Sequence, residues 1–198
     1  MLEMRTPISN MPKEKIILWI GRIEMNAKRP DRMVKIWERI YRKNPEWHLY
    51  LLGEGPLRMP LEDYCKRRDI SNIHFTGQTD PVLYLKRASF LCMTSTYEGF
   101  GLVLAEAQSF GVIPIAFDSY ASIHDILIDG ETGYLIPPFS IRKYAALLLK
   151  LMEHPELIRR VQYHLYTQKP YMRFSPALIA EKWDAIMKES SIKKNYNS

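Results

Sequence analysis

Apolar positions along the chain follow two alternating patterns. Short, nearly continuous apolar runs at Ile16–Ile20, His48–Leu52, Asn72–Phe75, Phe90–Met93, Val112–Phe117 and Gly133–Ile136 predict strands. Segments with a 3.6-residue period separate them. One opens at Pro30, a residue suited to a first helical turn, and puts Met33, Ile36, Trp37, Ile40 and Tyr41 on one face before Asn44-Pro45 stops it. Pro60–Asp69, Pro81–Arg87, Leu102–Phe110 and Ser122–Ile128 are the other intervening helices. Strands without polar alternation, separated by helices, imply a parallel sheet covered on both faces. From about Ser140 the strands cease and three helices follow: Arg142–Met152, Pro155–Thr167 and Pro176–Ser190. The last carries Ile179, Trp183, Ile186 and Met187 on one stripe, so it is expected to dock against another surface. The tail Ile192–Ser198 is polar and expected to fray. The expectation is one Rossmann-like α/β/α three-layer domain over residues 1–198. Its core covers about 14–138, with a helical extension at 140–190 and a tail at 191–198.

Composition narrows the class. With 198 residues, 46% apolar and 25% charged, the sequence has the make-up of a soluble globular domain. No apolar run approaches the ~20 residues that cross a bilayer, and the opening MLEMRTPISN has no apolar signal-peptide segment, so a cytoplasmic location is expected. The net charge of +6 comes from basic residues interleaved with acids along the helices, which describes solvated faces better than a nucleic-acid surface. A peripheral contact at the inner face of a membrane is compatible with that charge and not required by it. Cys65 and Cys92 are expected to be reduced and structural. His48, His74, His124, His154 and His164 show neither ligand spacing nor a partner pair and are expected to be structural, and Asp125 and Asp129 to lie on the surface.

The segment Ser95-Thr-Tyr-Glu98-Gly99-Phe100-Gly101-Leu102-Val-Leu-Ala-Glu106 holds the most chemistry. It leaves a strand and enters a helix at the carboxyl edge of the sheet, where open α/β sheets bind ligands. The glycines let backbone approach a ligand closely, and the amides of Phe100, Gly101 and Leu102 at a helix N-terminus suit a phosphate. Glu98 and Glu106 then flank one ligand. A dinucleotide fingerprint does not fit, because Leu104 stands at the third glycine position and the loop follows the fourth strand instead of the first. On spacing alone, Glu98 as a support of the helix start and Glu106 as a solvated residue remain an alternative.

The E-x7-E pattern with E-G-F-G-L-x-x-x-E-A resembles the donor site of glycosyltransferase family 4, in the GT-B superfamily. Further pieces follow in that family's order: Gly21-Arg22 with Lys28, Gly53-Glu-Gly-Pro56, Phe75-Thr-Gly-Gln78, and Asp129-Gly-Glu-Thr-Gly-Tyr-Leu135. They run from about Ile16 to Pro138 and match the C-terminal, nucleotide-sugar-binding half of a GT-B enzyme. The resemblance implies a retaining transferase that moves a hexosyl unit from a UDP-sugar, or a GDP-sugar, to a glycan or glycolipid acceptor in cell-surface polysaccharide or lipopolysaccharide assembly.

By the same resemblance, Arg22 and Lys28 hold the donor diphosphate, and Glu98 meets the donor sugar near the reacting carbon. Glu106 binds the ribose hydroxyls, Gly21, Gly99, Phe100, Gly101 and Leu102 supply backbone contacts, and Gln78 lies by the nucleobase. The sequence departs from the pattern in one respect: Lys28 stands one residue further from Arg22 than is usual, which a bulge at Met25–Ala27 would absorb. There is no Asp-x-Asp pair, so no metal and no cofactor are expected, with charge on the leaving nucleotide met by Arg22, Lys28 and amides. The acceptor-binding N-terminal domain of the family has no counterpart in these residues. Its place in the same polypeptide or in a separate subunit is the implied partnership. A nucleotide-sugar-binding module without turnover, and a GT-B sugar-nucleotide epimerase, are the competing readings.

Overall fold

The computed structural model describes residues 13–195. Six strands, β1 (Ile16–Ile20), β2 (His48–Leu52), β3 (Ile73–Gly77), β4 (Phe90–Met93), β5 (Ile113–Phe117) and β6 (Tyr134–Ile136), form one sheet in the order β3-β2-β1-β4-β5-β6. All neighbours run parallel. The helices are α1 (Pro30–Glu38), α2 (Arg58–Arg67), α3 (Pro81–Leu85), α4 (Leu102–Ser109), α5 (Ile141–Glu153), α6 (Pro155–Gln168) and α7 (Pro176–Asn195).

The two faces of β1 show how the layers form. Ile17 and Trp19 join α1 (Met33, Ile36, Trp37), α5 (Tyr144, Leu148) and α6 (Val161, Leu165) in one buried cluster. Ile16 and Leu18 join α3 (Leu85) and α4 (Leu104, Ala107) in the other. Successive side chains of a strand point to opposite faces, so a strand covered twice must be apolar throughout. Each such side chain fully buried contributes about 1.5–3 kcal/mol. The result is the expected three-layer α/β/α domain.

Several boundaries move for identifiable reasons. The second helix begins at Arg58, two residues before Pro60, because a proline in the first turn removes an amide that has no helical partner. α1 ends at Glu38, and Ile40 and Tyr41 are buried from the turn that follows. Ser122–Ile128 is a shorter 3-10 turn at Ala121–Asp125, and a second one spans Pro170–Phe174. The helix α7 continues to Asn195, into the segment expected to fray. The remainder of that tail, 196–198, and the first twelve residues lie outside the described residues.

The apolar stripe of α7 stands exposed, with Trp183 63% exposed and Ile179, Ile186 and Met187 exposed beside it. One expectation is corrected. The histidines do include a pair. The β2–β3 register sets Tyr50 opposite His74, and the same face brings His48 Nδ1 to 3.0 Å from His74 Nε2. Cross-strand register is not visible in a spacing of 26 residues. Cys65 and Cys92 are free and buried, and burial pushes their thiols up to about 11 and about 12. Among the described residues no helix is long and apolar enough to cross a membrane.

Candidate functional site

Strand order reverses between β1 and β4, so the chain segments leaving these strands diverge to opposite faces and open a crevice beyond the carboxyl ends. From β1 come Gly21, Arg22 and, after a turn at 25–28, Lys28; from β4 come Ser95, Glu98 and the glycines 99 and 101. Lys28 Nζ stands 2.7 and 2.8 Å from the two carboxylate oxygens of Glu98. The side chains of this pair are 29% and 10% exposed. Ser95 Oγ donates to Glu98 Oε1 at 2.6 Å, within the range of a charge-assisted hydroxyl–carboxylate bond.

The two loops are also joined through their backbones. The Thr96 amide donates to the Ala27 carbonyl at 2.7 Å. Thr94 Oγ1 donates to the Arg29 carbonyl at 2.9 Å and accepts from Trp19 Nε1 at 3.0 Å, while Arg32 donates to the Thr94 carbonyl at 3.1 Å. The chain turns at 25–28, and from the end of that turn Lys28 reaches Glu98.

Arg22 stands apart from this pair. Its side chain is 71% exposed and its Nε lies 3.3 Å from Glu24. With Gly21, Gly53, Glu54, Gln78 and Pro81 it lines a recess of about 360 Å³ at the ends of β1, β2 and β3. Glu54 in that wall is ion-paired with Arg58, which also donates to the Phe75 carbonyl at 3.1 Å. Gly21, Arg22 and Gln78 therefore share one recess, and Lys28 and Glu98 share the crevice at the strand reversal.

The start of α4 is left open. Gly101 takes the left-handed conformation (φ 87°, ψ 35°) and no side chain caps the first turn. A β-carbon at this position would overlap the Tyr120 hydroxyl, so both backbone and space require glycine. Phe100 anchors the loop by packing its ring edge-on against Phe174, centroids 5.3 Å apart, so its expected part in binding falls to its backbone. Gly99 has open space around it, Leu102 is exposed, and Glu106 is half-buried in the second turn of α4.

The sequence reading missed two neighbours of Glu98. Ser95, three residues before Glu98 and 3% exposed, is signalled only by its place after an apolar strand. Tyr120 comes from the loop after β5, and no local signal identifies it. Burial, and then the Glu98 carboxylate, hold its phenol well above the ordinary tyrosine range.

Comparison with known proteins identifies the family and the fold. Residues 3–168 match the family described as Glycosyl transferases group 1. An uncharacterized glycosyltransferase of Haemophilus influenzae is 28% identical over 165 residues, covering 79% of this chain and 46% of that protein. The amylovoran biosynthesis glycosyltransferase AmsD of Erwinia amylovora is 25% identical over 177 residues, 88% of this chain and 48% of that one. The chain thus spans about half the length of the curated relatives it matches. Among solved structures, a variant of TarM from S. aureus, in complex with fondaparinux, alpha-GlcNAc-glycerol and UDP, superposes with a TM-score of 0.82. It is 25% identical, over 92% of this chain and 37% of that one. The C-terminal domain of the group 1 family protein LpcC from Francisella tularensis shares the fold, with a TM-score of 0.68 and 22% identity over 78% of this chain and 84% of that domain. A family match over most of its length, and a six-stranded parallel sheet covered on both faces, make this chain a member of the group 1 glycosyltransferases, with the fold of a GT-B C-terminal domain.

Proposed function

We propose that the crevice between β1 and β4 binds a nucleotide-sugar, a UDP-sugar first and a GDP-sugar as the alternative, for retaining transfer of a hexosyl unit to a glycan or glycolipid. The observation that carries this reading is the meeting of Lys28 and Glu98 beside the uncapped start of α4. In the reaction the bond from the anomeric carbon to the diphosphate oxygen breaks and its electron pair leaves with the nucleotide. The acceptor oxygen bonds to that carbon and passes its proton to the departing diphosphate oxygen. In this reading Lys28 and the α4 amides, with Arg22 reaching across from the rim of the neighbouring recess, stabilise the growing negative charge without a metal ion. Glu98 in this reading faces an oxocarbenium-like carbon, and Glu106 takes the ribose hydroxyls. The recess lined by Gly21, Arg22 and Gln78 takes the nucleobase.

Acceptor binding falls to an N-terminal GT-B domain, in the same polypeptide or in a separate subunit. The exposed α7 stripe of Ile179, Trp183 and Ile186 supports a covering partner of this kind. The work would then be done in the cytoplasm, at the inner face of the membrane where lipid-borne acceptors reside. Calorimetry with UDP, GDP, UDP-glucose, UDP-N-acetylglucosamine and GDP-mannose in metal-free buffer tests the reading. Binding that disappears in Arg22→Ala and Glu106→Ala is the expected outcome, and no binding of any of the five probes at millimolar concentration overturns it.

A further inference from the structure

We infer that Ser95 is the positioning residue that keeps Glu98 in place while Lys28 is handed over to the incoming diphosphate. The inference rests on the donor-site reading above and adds a step to it. In the free chain one ammonium faces both oxygens of one carboxylate, at 2.7 and 2.8 Å, so the cation meant for the ligand is already engaged. A diphosphate brings more than one negative charge to the same lysine and displaces the single carboxylate by charge alone.

Once Lys28 turns to the diphosphate, Glu98 loses its counterion. A glutamate side chain has several rotatable bonds, and a carboxylate released beside an anion is pushed away from it. The Ser95 hydroxyl opposes that movement. It is bonded to Glu98 Oε1 at 2.6 Å, and Ser95 is buried, with its carbonyl accepting from Ser119 Oγ at 3.2 Å. The neighbouring residue is tied across the crevice by the bond between the Thr96 amide and the Ala27 carbonyl. The hydroxyl is thus a fixed point on the rigid end of β4, whereas the lysine lies on a turn. Filling the diphosphate position and readying the sugar position become a single exchange in which Glu98 stays put and Lys28 changes partner.

Calorimetry on the chain, comparing UDP with UDP-glucose and UDP-N-acetylglucosamine, and GDP with GDP-mannose, tests this. Ser95→Ala should bind the free diphosphate with wild-type affinity and the sugar conjugate about tenfold more weakly, the scale of one lost hydrogen bond to a charged group. Ser95→Thr, which keeps the hydroxyl, should restore the conjugate. Glu98→Gln frees Lys28 and should tighten the free diphosphate several-fold. Equal weakening of diphosphate and conjugate in Ser95→Ala would mean a general defect of the loop and overturn the proposal, as would an unchanged affinity for the conjugate. A wild-type chain that binds none of the probes sinks the donor-site reading, and this inference with it. Binding without the split between diphosphate and conjugate sinks the inference alone.

Discussion

Two of the family's glycine-bearing motifs end up in opposite physical states. The loop from Ser95 to Gly101 pools charge at a half-open crevice, leaves the first turn of α4 uncapped and shares one carboxylate between a hydroxyl and an ammonium. In the segment from Ile128 to Gly133 the polar groups bond to one another and to nearby backbone. The Ile128 amide donates to Thr132 Oγ1 at 2.8 Å, the Gly130 amide to the Gly133 carbonyl at 2.8 Å, and the Leu135 amide to Asp129 Oδ1 at 2.9 Å. Gln108, fully buried, donates at 3.1 Å to both the Thr132 and Ile126 carbonyls. Buried polar groups that find partners rigidify a fold, while groups left at a rim are available to a ligand. One motif is a clip that joins β6 to α4; the other leaves its polar groups at the rim.

Substitutions can break this contrast on either side. The largest effect is expected from Gly133→Ala, whose β-carbon would stand 2.6 Å from the Pro114 carbonyl oxygen and 3.0 Å from Leu127. Backbone must shift there, costing about 2–3 kcal/mol of stability, read as a lower urea midpoint. Nucleotide affinity of the folded fraction should be unchanged; a selective loss of affinity would place the clip in the site after all. Lys28→Ala comes next. It should weaken UDP or GDP by about tenfold or more, the scale of a charge-assisted bond, while the urea midpoint moves little. A lysine that served only to hold Glu98 would show the reverse pattern.

The smallest effect concerns the pair His48 and His74, which lies away from both motifs. Burial, and then the charge of His48, hold the His74 imidazole below its ordinary value. In the unfolded chain it titrates near 6.5, so acid puts protons on the unfolded state first. This contribution to stability is therefore complete above about pH 6.5 and is lost as the pH falls through the lower folded value. Urea midpoints at pH 7.5 and 5.5 should differ less in His74→Gln than in the wild type, and an unchanged slope would remove this pair from the acid response.

How much of this could be read from the residues follows from the range of each interaction. The strands at 16–20, 90–93 and 113–117 were legible because burial on both faces leaves nothing but apolar side chains. The loop at 98–101 was legible because the need for glycine at position 101 is local, fixed by a left-handed backbone. The mutual pairing of Lys28 and Glu98 was not, since it joins residues 70 apart that meet only at the strand reversal. The recess shared by Arg22 and Gln78 depends likewise on three strand ends coming to a common level, and the placement of Tyr120 on the path of the chain after β5. The α7 stripe, with Trp183 63% exposed, still presents apolar side chains to the surface.

The turns after β1 and β2 are fused. The Ile23 amide donates to the Glu54 carbonyl at 2.9 Å and the Leu57 amide to the Ile23 carbonyl at 3.0 Å, and β-carbons at Gly53 and Gly55 would run into the carbonyls of Gly21 and Ile23. Neither turn can be redrawn without the other. A lineage that reshaped this recess would therefore have to do so by exchanging side chains at positions 22, 54 and 78 over an unchanged main chain, so that variety among relatives of this chain should be written in tips and not in backbone.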